Sequence, residues 1–163
     1  SFHTLSMNKK SKEAFHWIVK ILRKNKVPFR ISGGLAVNSY GSKRKLFDID
    51  IDVPDKSIYK LLPFFKDFKI HRPEHYIDKN WDVTYISIDY KGQDVDLVGS
   101  NSQKIFKKKA NKWEKFKIDL KKSNKKVIFG ISVPVISKKE LISYKSKIAR
   151  KIDIQDIKFL TKN

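Results

Sequence analysis

This sequence predicts a mixed α/β (α+β) domain with a small mixed sheet flanked by helices. Three observations carry that prediction: an amphipathic opening segment, strictly alternating segments in the middle, and helical periodicity with a capping signal at the end. Phe15, Ile18, Val19 and Leu22 recur at i, i+3, i+4, i+7 and predict a helix over 8–25. "VPFRIS" (27–32) reads as a short strand ending at Gly33-Gly34, and "LAVNSYG" as one or two helical turns closed by Gly41. In "FDIDIDV", Phe47, Ile49, Ile51 and Val53 face one side of a strand, with Asp48, Asp50 and Asp52 opposite. A helix disturbed by Pro63 is expected over 55–67. "WDVTYISIDY" (81–90) and "QDVDLVG" (93–99) predict a hairpin turning at Lys91-Gly92. Residues 102–120 are Lys-rich, and Phe106, Ala110, Trp113, Phe116 and Leu120 stand at near-helical spacing. "KVIFGISVPVI" (126–136) reads as one strand-like run. Ser137 to Glu140 form a capping box that opens a helix through about Arg150, and a second short helix is expected from Asp153.

At 163 residues the chain suits one domain with a real core. Eleven Phe, six Tyr and three Trp argue for a folded globule rather than a basic disordered tail. Without cysteine, disulfides and thiolate metal sites are excluded. No apolar run approaches the length of a transmembrane helix and no signal-peptide pattern opens the chain, so a cytoplasmic location without membrane contact is expected. Residues 1–6, ahead of the only methionine, Met7, are expected to be a cloning remnant, leaving 7–163 as a single domain.

The formal charge of +20 favours anionic partners such as nucleotides and nucleic acid. Lys dominates the basic residues beside many Ile, Asn, Phe and Tyr, a mixture that AT-rich coding also produces. Against this charge, three aspartates on one strand face need a reason, because like charges repel and Asp is a poor strand former. Asp48 and Asp50 lie about 6.5–7 Å apart by the strand rise. Carboxylates at that spacing suit Mg²⁺, which takes one or two of them and completes its shell with water and phosphate oxygens. Lys43, Arg44 and Lys45 are the local counter-charges under a purely structural reading. Asp94 and Asp96 repeat the alternation on the later hairpin strand, so a third carboxylate joins the first two if the strands adjoin. Gly33 and Gly34, between strand and helix, allow backbone N–H groups to approach an anion, with Ser32 beside them.

Gly33-Gly34, thirteen intervening residues, Asp48-Ile-Asp50-Ile and a later strand Asp resemble the signature of the nucleotidyltransferase superfamily typified by DNA polymerase β. The closer resemblance is to the small antibiotic-type, particularly lincosamide, nucleotidyltransferases, which share the Asp-Ile-Asp-Ile-Asp run. Lys145, Arg150, Asp153 and Asp156 resemble the family's closing helices in their spacing. The resemblance implies a minimal nucleotidyltransferase fold that moves an NMP from an NTP, ATP foremost, to an acceptor hydroxyl with release of pyrophosphate. It implies that Asp48 and Asp50 bind Mg²⁺, as a pair of ions, and that Asp96 completes the site or acts as base, with Asp94 as the alternative. Gly33 and Gly34 would hold the triphosphate, Arg44 and Lys145 would partner the phosphates, and Asp52 would stand behind the metal ligands. Two departures point away from lincosamide as the acceptor: Leu46 replaces a histidine, and Asp96-Leu97-Val98 replaces Asp-x-His.

Residues 101–126 carry eleven Lys against Glu114 and Asp119, and here the resemblance is poorest. If helical, this segment has an aromatic face and a cationic face. Such a field would repel a polycationic aminoglycoside and offers RNA as the alternative to a small-molecule acceptor. A catalytically silent, nucleic-acid-binding module is the non-enzymatic rival. His3, His16, His71 and His75 show no metal-ligand spacing, His71 and His75 being separated by Pro73.

Overall fold

The computed structural model describes residues 2–162, without the side chains of 2–8 and 72–74. Helix α1 (Phe2–Lys24) places Phe15, Ile18 and Leu22 in the core, as its periodicity requires. Next come β1 (Arg30–Ser32), α2 (Gly33–Ser39) and β2 (Asp48–Val53). Helix α3 (Asp55–Leu61) runs into a 3-10 turn at Leu62–Phe65, where Pro63 lacks the N–H that an α-helix would use. Strands β3 (Lys69–Ile77), β4 (Trp81–Tyr90) and β5 (Gln93–Gly99) follow.

With β6 (Lys104–Lys107), β7 (Lys112–Lys115), β8 (Asn124–Ile128) and β9 (Ile131–Val135), the nine strands among the described residues form one mixed sheet in the order β7-β6-β4-β5-β2-β1-β9-β8, with β3 paired to β4. Strand β2 lies parallel to β5 and antiparallel to β1. Ile49, Ile51, Val95, Leu97, Ile86 and Ile88 fill the core side of these central strands with α1 and α3. The pleat therefore turns Asp48, Asp50, Asp52, Asp94 and Asp96 to the other side. There α4 (Lys138–Ile148) and α5 (Lys151–Lys162), which meet at the left-handed Ala149 (φ 54°), close over the sheet.

The helix expected over 102–120 is instead a hairpin, β6 (Lys104–Lys107) and β7 (Lys112–Lys115). Phe106 and Trp113, read as one helical stripe, are cross-strand partners in edge contact at 5.5 Å. A spacing of seven residues fits both two helical turns and the register of this tight hairpin, and the turn at Asn111 (φ 51°) decides it. The single strand expected over 126–136 is also a hairpin, β8 (Asn124–Ile128) and β9 (Ile131–Val135). Phe129 (φ 48°) and Gly130 (φ 81°) make its turn, which is the left-handed pair that two-residue hairpins need. Strand β3 was not expected. Ser137 Oγ accepts from the Glu140 N–H at 3.1 Å, but Glu140 turns its carboxylate to Arg30 rather than back along the helix.

Candidate active site

Backbone conformation sets the first part of the site. Gly33 has φ +59°, and a Cβ there would lie 2.8 Å from Asp50 Cγ. A Cβ on Gly34 would lie 2.8 Å from an Arg44 guanidinium nitrogen. The two glycines thus let bare backbone sit between an acidic and a basic side chain.

Register sets the second part. Asp50 is paired with Asp96 across the parallel β2–β5 ladder, and Asp48 with Asp94. Carboxylate oxygens of Asp48, Asp50 and Asp96 all lie within 4.8 Å of one another. Asp94 stays out of this group and is exposed. Burial, then repulsion from Asp48, Asp96 and Asp52, pushes Asp50 well above the ordinary carboxylate range, with Lys145 acting against them. Burial raises Asp96 to about 7, the Ser87 hydrogen bond opposes, and Asp48 adds repulsion. Asp96 Oδ1 is buried without a hydrogen-bond partner. Clustered, desolvated, repelling carboxylates with an unsatisfied oxygen match the oxygen-donor set of a hard divalent cation, so the residues fit Mg²⁺.

Asp52 has a different neighbour. It pairs with Arg30 at 3.1 Å and accepts from Ser32 Oγ at 3.2 Å. Burial raises it to about 6 while Arg30 pulls it down. Arg30 is fully buried and also meets Glu140 at 2.5 Å. Ser32 therefore lines the cleft with its hydroxyl turned to Asp52.

Lys145 and Arg44 reach the same cleft from α4 and from the loop before β2. Lys145 Nζ lies 3.0 Å from Asp156 and 3.2 Å from Asp153. Arg44 Nε lies 2.7 Å from Asp156, and Arg150 Nε lies 2.7 Å from Asp153. Burial opposes ionisation of Asp153, yet hydrogen bonds and charge from Arg150, with charge from Lys145, hold it below its ordinary range. Two buried carboxylates of α5 thus fix three cations at the edge of the aspartate cluster.

The cleft occupies about 400 Å³ and brings together Ser32, Gly33, Gly34, Arg44, Asp48, Asp50, Asp96 and Lys145, the residues singled out from the sequence. It also contains residues that sequence reasoning missed: Arg30, Trp81, Gln103, Phe116 and Tyr144. Arg30 had a signal, a charge inside an otherwise apolar strand just ahead of the glycines. The others had none, because they meet only through tertiary contact. His75 instead pairs with Asp82, and His16 bonds the Phe129 carbonyl at 2.8 Å, both away from the cleft.

The model of the aminoglycoside-2''-adenylyltransferase family matches residues 14–160. The chain belongs to that family. It is accordingly an enzyme of the nucleotidyltransferase type, and solved structures share its fold. A Thermotoga maritima protein described as a nucleotidyltransferase superposes with TM-score 0.67 at 20% identity, over 93% of this chain and 94% of its own. The lincosamide antibiotic adenylyltransferase LnuA, solved with lincomycin, gives 0.61 at 19% identity, over 91% and 95%. ANT(2'')-Ia in complex with adenylyl-2''-tobramycin gives 0.63 at 16% identity, over 93% and 88%. Comparison with curated proteins gives no match. Nothing among these relatives supports an RNA acceptor for the family. No helix among the described residues is long and apolar enough to cross a membrane.

Proposed function

We propose that this family member transfers a nucleoside monophosphate, AMP from ATP foremost, to a hydroxyl of a small-molecule acceptor and releases pyrophosphate. The observation that carries this reading is the convergence of Asp48, Asp50 and Asp96 within 4.8 Å, beside the bare backbone of Gly33 and Gly34. Asp48, Asp50 and Asp96 hold Mg²⁺, which when bound supplies charge neutralisation and polarisation at the phosphates. Gly33 and Gly34 present backbone to the triphosphate, where a side chain would exclude it. Arg44 and Lys145, held in place by Asp156, meet the phosphate charge and stabilise the leaving pyrophosphate. Asp96 completes that metal site through its unpartnered Oδ1 or, in the alternative, receives the acceptor's proton there.

The test is incubation with each α-labelled NTP, Mg²⁺ and an acceptor panel that includes tRNA, following label transfer. The reading expects label on a small molecule, lost in Asp48→Asn and Asp50→Asn. Full activity in either variant removes the metal assignment, and label on tRNA alone removes the small-molecule acceptor.

A further inference from the structure

Arg44 lines a second cavity as well as the cleft, an open groove of about 1030 Å³ between the start of α1, α2, the loop 42–46 and the β8–β9 turn. That volume is ample for a nucleotide-sized ligand. Lys9 and Lys12 reach it from α1, and Lys43 and Lys45 from the loop. All four are exposed, and no Asp or Glu among the described residues lines the groove. Nor does any of the four have an ion-pair partner among the described residues. Lys45 rests on the Phe47 ring at 5.3 Å, a contact that leaves its charge uncompensated. The cleft differs, because Arg44, Lys145 and Arg150 each hold a buried carboxylate there. Lys9 and Lys12, at i and i+3, share a face of α1 where like charges repel. Four such cations around one groove make a surface that an anion stabilises.

The backbone that carries these charges is fixed. Asn38 Nδ2 donates to the carbonyls of Ser42 at 2.9 Å and Arg44 at 3.1 Å, and the Arg44 N–H donates to Ser42 Oγ at 3.2 Å. Another wall is the β8–β9 turn, pinned to α1 by the His16 bond to the Phe129 carbonyl and by the Phe129–Phe15 ring contact. This wall is apolar: Val127 is 70% exposed, and half-buried Phe129 follows two residues on. An exposed apolar wall beside a cationic one suits a ligand with a flat apolar body and several negative charges.

We propose that this groove is a second nucleotide site, separate from the cleft, which takes a nucleoside polyphosphate. The phosphates meet Lys9, Lys12, Lys43 and Lys45, and the base covers Val127 and Phe129. An inorganic phosphate chain would answer the cations but leave the apolar wall in water. With no lining carboxylate to hold a metal, the groove takes the metal-free nucleotide, which carries more charge than its Mg²⁺ complex. Binding here involves no chemistry in the cleft, so it stands apart from the transfer reaction proposed above.

The test is calorimetry of the full chain with ATP and with tripolyphosphate, in EDTA so that the aspartate cluster holds no metal. The expected result is ATP binding that weakens as salt rises. It should fall about tenfold when Lys9, Lys12, Lys43 and Lys45 are changed together to Gln. Changing Lys107, Lys108, Lys109 and Lys112 to Gln removes the same charge elsewhere and should alter affinity by less than about twofold. Val127→Ser should weaken ATP about threefold and leave tripolyphosphate unchanged. The groove positions substituted are exposed, so unchanged melting temperatures should separate lost binding from lost fold. Equal losses in the two fourfold variants would reduce the binding to net charge and overturn the site. So would absence of ATP binding in EDTA, or tripolyphosphate binding as tightly as ATP with Val127→Ser changing neither. RNA held more tightly than ATP, and lost in the groove variant alone, would make the groove a nucleic-acid surface and overturn the nucleotide assignment.

Discussion

Replacing Asp96 by Asn removes one of three carboxylates that repel one another in the metal-free protein. Asp96 stands at about 7, against 3.8 for an ordinary Asp, so the folded state binds its proton more tightly than the unfolded state does. Its contribution is therefore favourable at low pH and is lost as the pH rises from the ordinary carboxylate range through about 7. Between pH 5 and pH 7 the loss accumulates at 1.36 kcal/mol per pH unit, about 3 kcal/mol in all. The Asn variant has no such loss. Urea unfolding with EDTA should show the variant gaining on the wild type by up to about 3 kcal/mol between pH 5 and pH 8. Mg²⁺ should reverse the order, because it binds and stabilises only the intact carboxylate set. A difference between wild type and variant that does not move with pH, or that Mg²⁺ leaves untouched, would refute the reasoning.

Gly33→Ala should cost about 1–2 kcal/mol from its positive φ alone, and more from contact with Asp50, whereas Gly34→Ala has no such φ penalty and meets the Arg44 guanidinium that Asp156 holds. Thermal melts should rank Gly33→Ala below Gly34→Ala, and calorimetry should show weakened nucleotide binding in both. Asp156→Ala leaves Lys145 and Arg44 without their shared buried partner and should destabilise by about 3 kcal/mol in denaturant titration. Asp153 has a lowered pKa, so its stabilisation is present at neutral pH and lost as the pH falls through that pKa. The destabilisation caused by Asp153→Asn should accordingly shrink in acid. Changing Lys107, Lys108, Lys109 and Lys112 together to Gln should leave filter-bound RNA equally weak at every salt concentration, since these residues belong to a solvated hairpin. A steep salt slope lost in that variant would restore RNA as acceptor.

The central sheet was legible because alternation is a strong local signal, and a one-residue slip would put Ile49 and Ile51 in water and three aspartates in the core. The choice between Asp94 and Asp96 was not legible, because both alternate identically. The register pairs Asp96 with Asp50 and Asp94 with Asp48, and the carboxylate that lies within 4.8 Å of both β2 aspartates is Asp96, a proximity that sequence spacing does not encode. The Lys-rich segment failed for the opposite reason. Its apolar spacing satisfies both a helix and a short hairpin, and what separates them is burial of Ile105 and Phe116 against Ile148 from a distant helix. Phe129 misled differently, since a bulky residue at positive φ is a poor guess for a turn. It is held there by packing its ring edge-on against Phe15 at 5.8 Å.

The run Asp48-Ile-Asp-Ile-Asp52 places like charges on one face of one strand, yet the fold does not treat them alike. Because β2 lies between β1 and β5, each aspartate acquires neighbours from both sides. At the Asp50 level these are Ser32 and Asp96, and at the Asp52 level they are Arg30 and Val98. One level gathers carboxylates and leaves them short of positive charge. The next neutralises its carboxylate with a buried guanidinium and turns apolar. Moving along the sheet by a single pleat therefore passes from a level that lacks positive charge to one whose carboxylate is already paired. Removing the charge of Arg30 is the sharpest probe of that difference. Arg30→Met leaves Asp52 and Glu140 facing each other without a cation, at a cost of about 3–5 kcal/mol. The double variant Arg30→Met/Asp52→Asn removes the uncompensated charge and should recover much of that loss. If the double variant melts no higher than the single one, Arg30 acts through packing, and the electrostatic division of the cleft fails.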